Sequence, residues 1–131
     1  MKNNHTPKQT FHWGAGLAVL LALTALISGC CSYNSTLYAQ LGKTKTDVAK
    51  AYGSAANDDV ETARKDLADL VALAEKDKAK CPEPLIQAQN IKTIFDGTNF
   101  GRKGSKIYQH KKDNIAEAID IAITTQDNLK K

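Results

Sequence analysis

The sequence is poor in aromatic residues and in strand-like patterns. Tryptophan, tyrosine and phenylalanine together make up 6% of the 131 residues, and most of the other apolar residues are aliphatic or alanine. Such an interior suits packed helices better than a β-sandwich, where aromatic and β-branched residues are enriched. No stretch alternates apolar and polar residues convincingly over the length of a strand. These absences favour an all-α fold.

Residue types that carry catalysis or bind metals are also scarce. After residue 29 the chain has one histidine, His110, and no histidine–cysteine cluster with metal-ligand spacing. It also lacks the Gly-x-Ser-x-Gly turn of serine hydrolases. The glycine-rich segment 97–105 does not match a phosphate-binding loop, because Arg102 stands where that motif requires glycine. We therefore predict no enzymatic activity, no metal and no cofactor.

The charge balance gives no reason to expect nucleic acid. The whole chain has a formal net charge of +4, but Lys2 and Lys8 belong to an N-terminal segment without acids. From residue 30 onward, sixteen basic residues stand against fourteen acidic ones. So small an excess does not predict a nucleic-acid partner.

The first 29 residues have the three zones of a secretory signal peptide. A polar, basic head is followed by an apolar run over 14–27 and then by a serine and a glycine. A helix needs about 20 residues to span a bilayer, so this run is short for a permanent anchor. The alternative is a retained helix with Trp13 and Tyr33 at its edges. We predict export with removal of residues 1–29.

The end of this segment resembles a known processing site. Ile27-Ser28-Gly29-Cys30 resembles the lipobox of bacterial lipoproteins, in which an aliphatic residue and two small residues precede a cysteine. The resemblance implies that Cys30 receives a diacylglyceryl group and that the chain is cut before it. The new amino terminus would then be open to acylation, and Cys31 is a less suitably placed alternative target. Lipoproteins of enteric-type bacteria that stay in the inner membrane have aspartate at the position of Cys31, so the resemblance favours the outer membrane, facing the periplasm.

A polar tether over 30–36 precedes a helical domain that we place at 37–131. Within that domain apolar residues recur every three or four positions. We predict four helices. The first two cover 37–52, with Gly53 as the stop, and 58–80, with Asp58 and Glu61 as a capping box. The other two cover 84–96 and 114–129, and Asn114 and Glu117 form a second capping box at the start of the last one. Short links between them predict an up-and-down bundle of three to four helices.

Two cysteines remain if Cys30 carries lipid. In an oxidising compartment Cys31 and Cys81 can form a disulfide. It would close a loop of about fifty residues and contribute on the order of 4 kcal/mol. The alternative is a free Cys81 packed at a helix end.

One acid-free segment, residues 97–112, has five basic residues, with Phe100 and Tyr108 between them. The five are Arg102, Lys103, Lys106, Lys111 and Lys112. The plainest interpretation is a solvated loop. The alternative is a site for anionic lipid, lipopolysaccharide, a glycan or an acidic protein surface.

These features predict a lipid-anchored envelope protein that binds another envelope protein through its helices. Binding of an anionic lipid or glycan through 97–112 is the rival hypothesis. In size, lipobox and helical content the chain is similar to small helical pilot lipoproteins of secretion systems. It is equally similar to exclusion lipoproteins of mobile genetic elements, and no motif separates the two comparisons.

Overall fold

A computed structural model describes residues 31–131. The predicted signal peptide, the lipobox-like residues 27–29 and the predicted lipidation site Cys30 lie outside these residues. The described chain forms four helices and no strand, which confirms the predicted all-α bundle. The helices are α1 (Ser35–Ser54), α2 (Asn57–Lys76), α3 (Glu83–Asp96) and α4 (Lys106–Leu129), with a short 3-10 turn at Phe100–Arg102.

Each helix packs against the next one in the chain, and α4 packs against α1 to close the ring. Because the connections are short, successive helices run in opposite directions. We call the end formed by residues 31–34, 77–82 and 129–131 the disulfide pole, and the end formed by 53–56 and 97–108 the basic pole. At a rise of 1.5 Å per residue, the twenty residues of α1 separate the poles by about 30 Å.

The core consists of one apolar stripe from each helix. Leu41, Leu67, Ile91 and Ile119 are among the residues that bury their side chains almost completely between the helices. Towards the basic pole the packing becomes aromatic, with ring centroids 5.0 to 6.0 Å apart. These rings belong to Tyr52, Phe95, Phe100 and Tyr108. The aromatic cluster therefore ties the loop after α3 to the ends of α1 and α4.

The largest difference from the sequence prediction is the start of α4. The helix begins at Lys106, where the Ser105 hydroxyl accepts a hydrogen bond from the amide of Tyr108 at 3.1 Å. The predicted capping box of Asn114 and Glu117 is therefore wrong, since both residues lie inside the helix. The first two turns of α4 carry few apolar residues, so the apolar pattern starts later than the helix does.

Two more helix ends differ from the prediction. The Asp58–Glu61 capping box is wrong, because α2 begins at Asn57 after Ala56, whose methyl group cannot accept a hydrogen bond. The amide of Ala56 is instead bonded to the Ser54 hydroxyl at 3.1 Å. At its other end α2 stops at Lys76, four residues before the predicted end, and residues 77–80 form a turn.

The link between α1 and α2 also departs from the expected glycine stop. Helix α1 continues through Gly53 to Ser54, and the left-handed residue that ends it is Ala55, with a φ of 55°. Its start lies within the predicted tether, since the Asn34 side chain accepts from the amide of Leu37 and the helix begins at Ser35. Residues 31–34 are thus all of the described chain that precedes α1.

Candidate functional site

The basic pole is held together by hydrogen bonds between distant parts of the chain. The Tyr108 hydroxyl donates to the carbonyl of Tyr52 at 2.6 Å. The Tyr52 hydroxyl is 2.5 Å from the hydroxyl of Thr98, which donates in turn to the carbonyl of Ile94 at 3.0 Å. Burial raises the pKa of both tyrosines, so both hydroxyls keep their protons as donors. This network fixes the start of α4 against the ends of α1 and α3.

The glycine-rich connection between α3 and α4 has a defined backbone conformation. The side chain of Asn99 accepts from the amide of Gly101 at 3.0 Å and starts the 3-10 turn. Gly104 has a φ of +95°, a region that glycine enters without the steric penalty of a Cβ atom. Ser105 then caps α4. The segment is therefore a structured turn that presents its side chains at fixed places.

A pocket of about 230 Å³ opens between this turn and the start of α4. It is lined by Thr98, Asn99, Arg102, Ser105, Ile107, Tyr108 and Lys111. The lining thus combines two cations with hydroxyl and amide groups. Ile107 is 72% exposed, which makes it the most exposed large apolar residue among residues 31–131. A pocket of this kind can receive a negatively charged group next to an apolar one.

The Lys111 side chain lies close to Gly97, the residue that follows α3. A Cβ atom placed on Gly97 would lie 2.8 Å from Nζ of Lys111, closer than real Cβ contacts allow. The absence of that Cβ lets the ammonium group lie directly over the end of α3, where free carbonyl groups favour a cation. Lys111 is half-buried in this arrangement.

The structure divides the five basic residues predicted from the sequence. Arg102 and Lys111 line the pocket. Lys103 instead donates from Nζ to the carbonyl of Gly53 in the last turn of α1. Lys106 and Lys112 are exposed on α4 and do not line this pocket. Tyr108, noted in the sequence between the basic residues, also lines the pocket, whereas Ile107 and Asn99 were not singled out from the sequence.

A second surface, along the outer side of α4, is shallower. It is a depression of about 500 Å³ lined by Glu117, Asp120, Ile121, Thr124, Thr125 and Asn128. Ile121 is 42% exposed there, and Asp120 pairs with Lys45 of α1 at 2.8 Å. Because one helix supplies the whole lining, this surface has less shape to select a partner than the pocket at the basic pole.

Two carboxylates are buried in the bundle, those of Asp66 and Glu83. The side chain of Asp66 is 1% exposed between α1 and α2 and is bonded to Nζ of Lys43. Burial raises the pKa of Asp66. The available indication was its spacing, three residues after Ala63 and four before Leu70, within the apolar stripe of α2.

At the disulfide pole Cys31 and Cys81 are joined by a disulfide, with Cα atoms 5.1 Å apart. Among residues 31–131 no group of three or more histidine, cysteine, aspartate or glutamate residues is arranged to hold a metal ion. No helix in that range is both long enough and apolar enough to cross a membrane. No family model, curated protein or solved structure matches the chain.

Proposed function

We propose that this chain is a lipid-anchored envelope protein whose bundle binds a partner protein at the basic pole. The lipobox Ile27–Cys30 supports the anchor, and its resemblance supports the outer membrane, facing the periplasm. The pocket between the 3-10 turn and α4 supports the binding role. In this proposal the protein acts by binding and not by catalysis.

The lining of the pocket indicates the chemistry of the partner. Arg102 and Lys111 place two cations beside Ile107, whose side chain lies mostly in water. Covering that side chain would contribute about 1 to 2 kcal/mol. The cations would add orientation and speed of association more than affinity. The partner that fits is an acidic segment that carries one apolar side chain next to its carboxylates.

The second candidate is an anionic lipid, lipopolysaccharide or glycan bound in the same pocket. The hydroxyl and amide groups of Thr98, Asn99 and Ser105 favour it, since such groups bind sugars and phosphates. A sugar or phosphate alone would leave the exposed Ile107 uncovered, and the acyl chains of a lipid would cover it only by leaving their bilayer. We therefore place the protein partner first.

A crosslinking experiment tests the binding role. A photoreactive amino acid at Ile107 is expected to give one protein adduct in intact cells, whereas the same group at Asn57, also exposed at the basic pole, gives none. Arg102→Gln with Lys111→Gln is expected to weaken the adduct several-fold, and Lys112→Gln, which changes a cation outside the pocket, to leave it unchanged. An adduct with lipopolysaccharide would favour the second candidate. Equal adducts at positions 107 and 57 would refute a site at this pocket.

Mass spectrometry tests the anchor separately. The mature protein is expected to begin at Cys30 and to carry added acyl mass on that residue. The Cys30→Ala variant is expected to keep its uncut N-terminus and to carry no acyl mass. A wild-type protein without acyl mass would refute the anchor, whatever the crosslinks show.

A further inference from the structure

We infer that the Cys31–Cys81 disulfide holds the bundle upright on the bilayer, with the disulfide pole against anionic phospholipid headgroups and the basic pole directed away. This inference rests on the proposed lipid on Cys30. It adds a second interaction surface, whose partner is the membrane itself. It also predicts where the pocket at the basic pole lies relative to that membrane.

The first argument is the shortness of the connection. Adjacent Cα atoms are 3.8 Å apart, and the Cα atoms of Cys31 and Cys81 are 5.1 Å apart. The residue that carries the lipid therefore lies within about 9 Å of Cys81, at the turn between α2 and α3. Without the disulfide, residues 31–33 would form a leash of about 10 Å, which would let the bundle tilt on the membrane.

Hydrogen bonds fix the same segment to two other elements. The amide of Asn34 donates to Oε1 of the buried Gln126 near the end of α4 at 3.1 Å. Its side-chain Nδ2 donates to Asp77, in the turn after α2, also at 3.1 Å. The segment is thus attached to α4 and to the α2–α3 turn as well as to α1. A lipid at residue 30 would hold the whole pole, because the pole moves with this segment.

The surface of the disulfide pole suits a headgroup layer. Nζ of Lys130 lies 5.4 Å from the ring of Tyr33 and 5.2 Å from that of Tyr38, and tyrosine is enriched at membrane interfaces. Next to the disulfide is a cleft of about 300 Å³ whose lining includes Ser32, Asn34 and Lys80. Such polar groups suit phosphates and water and not acyl chains.

Charge at this pole favours an anionic surface. Five lysines near the pole exceed by one the four nearby acids, Glu75, Asp77, Glu83 and Asp127. The lysines are Lys76, Lys78, Lys80, Lys130 and Lys131. Each lysine near an anionic leaflet contributes about 1 kcal/mol of attraction. An anionic phospholipid such as phosphatidylglycerol is therefore the headgroup that this pole fits.

The orientation limits what the basic pole can reach. With the disulfide pole on the headgroups, Arg102 and Lys111 lie about 30 Å above them, the length of α1. Lipids of the same membrane are then out of reach of the pocket. A partner that extends into the surrounding compartment is within reach, which agrees with a protein ligand at that pole.

Energy transfer from the protein to the membrane surface tests the orientation. Asn57→Cys near the basic pole and Asn128→Cys near the disulfide pole give matched, exposed labelling sites. In the acylated, oxidised protein the introduced thiol is the free one. Each labelled protein is placed in vesicles of phosphatidylethanolamine and phosphatidylglycerol that contain a headgroup-labelled acceptor lipid. We expect several-fold stronger transfer from position 128 than from position 57.

A spacer variant is the control that keeps the disulfide and the fold. Insertion of Gly-Ser-Gly-Ser-Gly-Ser between Cys30 and Cys31 adds roughly 20 Å of reach. We expect this slack to bring the transfer efficiencies from the two positions close together. Equal transfer from both positions without the insertion would overturn the inference, and so would a difference that the insertion leaves unchanged. Failure of the anchor itself is recognised separately, as missing acyl mass before any vesicle is prepared.

Discussion

Reduction of the Cys31–Cys81 disulfide is expected to lower the free energy of unfolding of the bundle by about 4 kcal/mol. The two cysteines are 50 positions apart, and a cross-link over that distance removes about 14 cal/mol/K of entropy from the unfolded chain. Small domains have about 5 to 15 kcal/mol of stability in total. The disulfide would therefore supply a large part of the stability of this one.

Urea unfolding of residues 31–131, followed by circular dichroism with and without a reductant, measures this effect. The free energy of unfolding of the oxidised chain should also fall less steeply with urea concentration, because its cross-linked unfolded state exposes less surface. A Cys31→Ser, Cys81→Ser variant controls for side effects of the reductant. It is expected to match the reduced wild type closely, although Cys81 is 8% exposed and its replacement changes some packing.

Two results would refute this reasoning. One is a decrease in the free energy of unfolding of less than about 1 kcal/mol when the disulfide is reduced. This would mean that the unfolded chain already brings the two cysteines together. The other is the full decrease in the free energy of unfolding with no change in how steeply that free energy falls with urea concentration. That result would locate the effect in the folded state and not in the unfolded chain.

Three further predictions concern single residues, each checked by urea unfolding. Ser105→Ala removes the cap of α4 and should lower the free energy of unfolding by about 1 kcal/mol. Asn114→Ala, inside the helix, should not lower it. Equal decreases in the two variants would contradict the observed start of α4. Ala55→Gly should raise the free energy of unfolding by up to about 1 kcal/mol, because Ala55 has a left-handed backbone conformation. A lower urea midpoint would contradict this. Burial raises the pKa of Glu83, so the folded protein holds this proton more tightly than the unfolded chain. The free energy of unfolding should therefore decrease as the pH rises from the pKa of Glu83 in the unfolded chain to its higher pKa in the folded protein. The decrease is at most about 1.4 kcal/mol per pH unit. An identical decrease in the Glu83→Gln variant would refute this.

The parts of the fold that could be predicted from sequence are those with dense apolar stripes. In α2, apolar residues at spacings of three and four, such as Ala63, Leu67 and Leu70, are buried in the structure. The first turns of α4 gave no such pattern, because Tyr108 is the one buried residue between Lys106 and Asp113. Its partner, the carbonyl of Tyr52, lies 56 positions away. A helix end held by a distant contact leaves little local pattern.

The candidate site was predictable in composition but not in arrangement. The sequence shows the basic residues of 97–112, but it does not show which of them share a pocket. Lys103 leaves the group because it bonds to the carbonyl of Gly53, 50 positions away. Lys111 reaches the pocket over Gly97, which depends on how α4 lies beside the end of α3. Both facts depend on the packing of the whole bundle.

The buried Asp66 has a consequence for how α1 and α2 align. Lys43 meets Asp66 at one alignment of the two helices, and a shift by one turn, 5.4 Å, would leave the carboxylate in the apolar seam without its cation. The link of residues 55–56 and the Cys31–Cys81 disulfide hold the same alignment. Asp66→Leu is therefore expected to keep one set of amide resonances for α1, and a second set would contradict this. The buried acid thus adds one ionic contact to a helix pairing that the Lys50–Asp59 pair and the disulfide also hold.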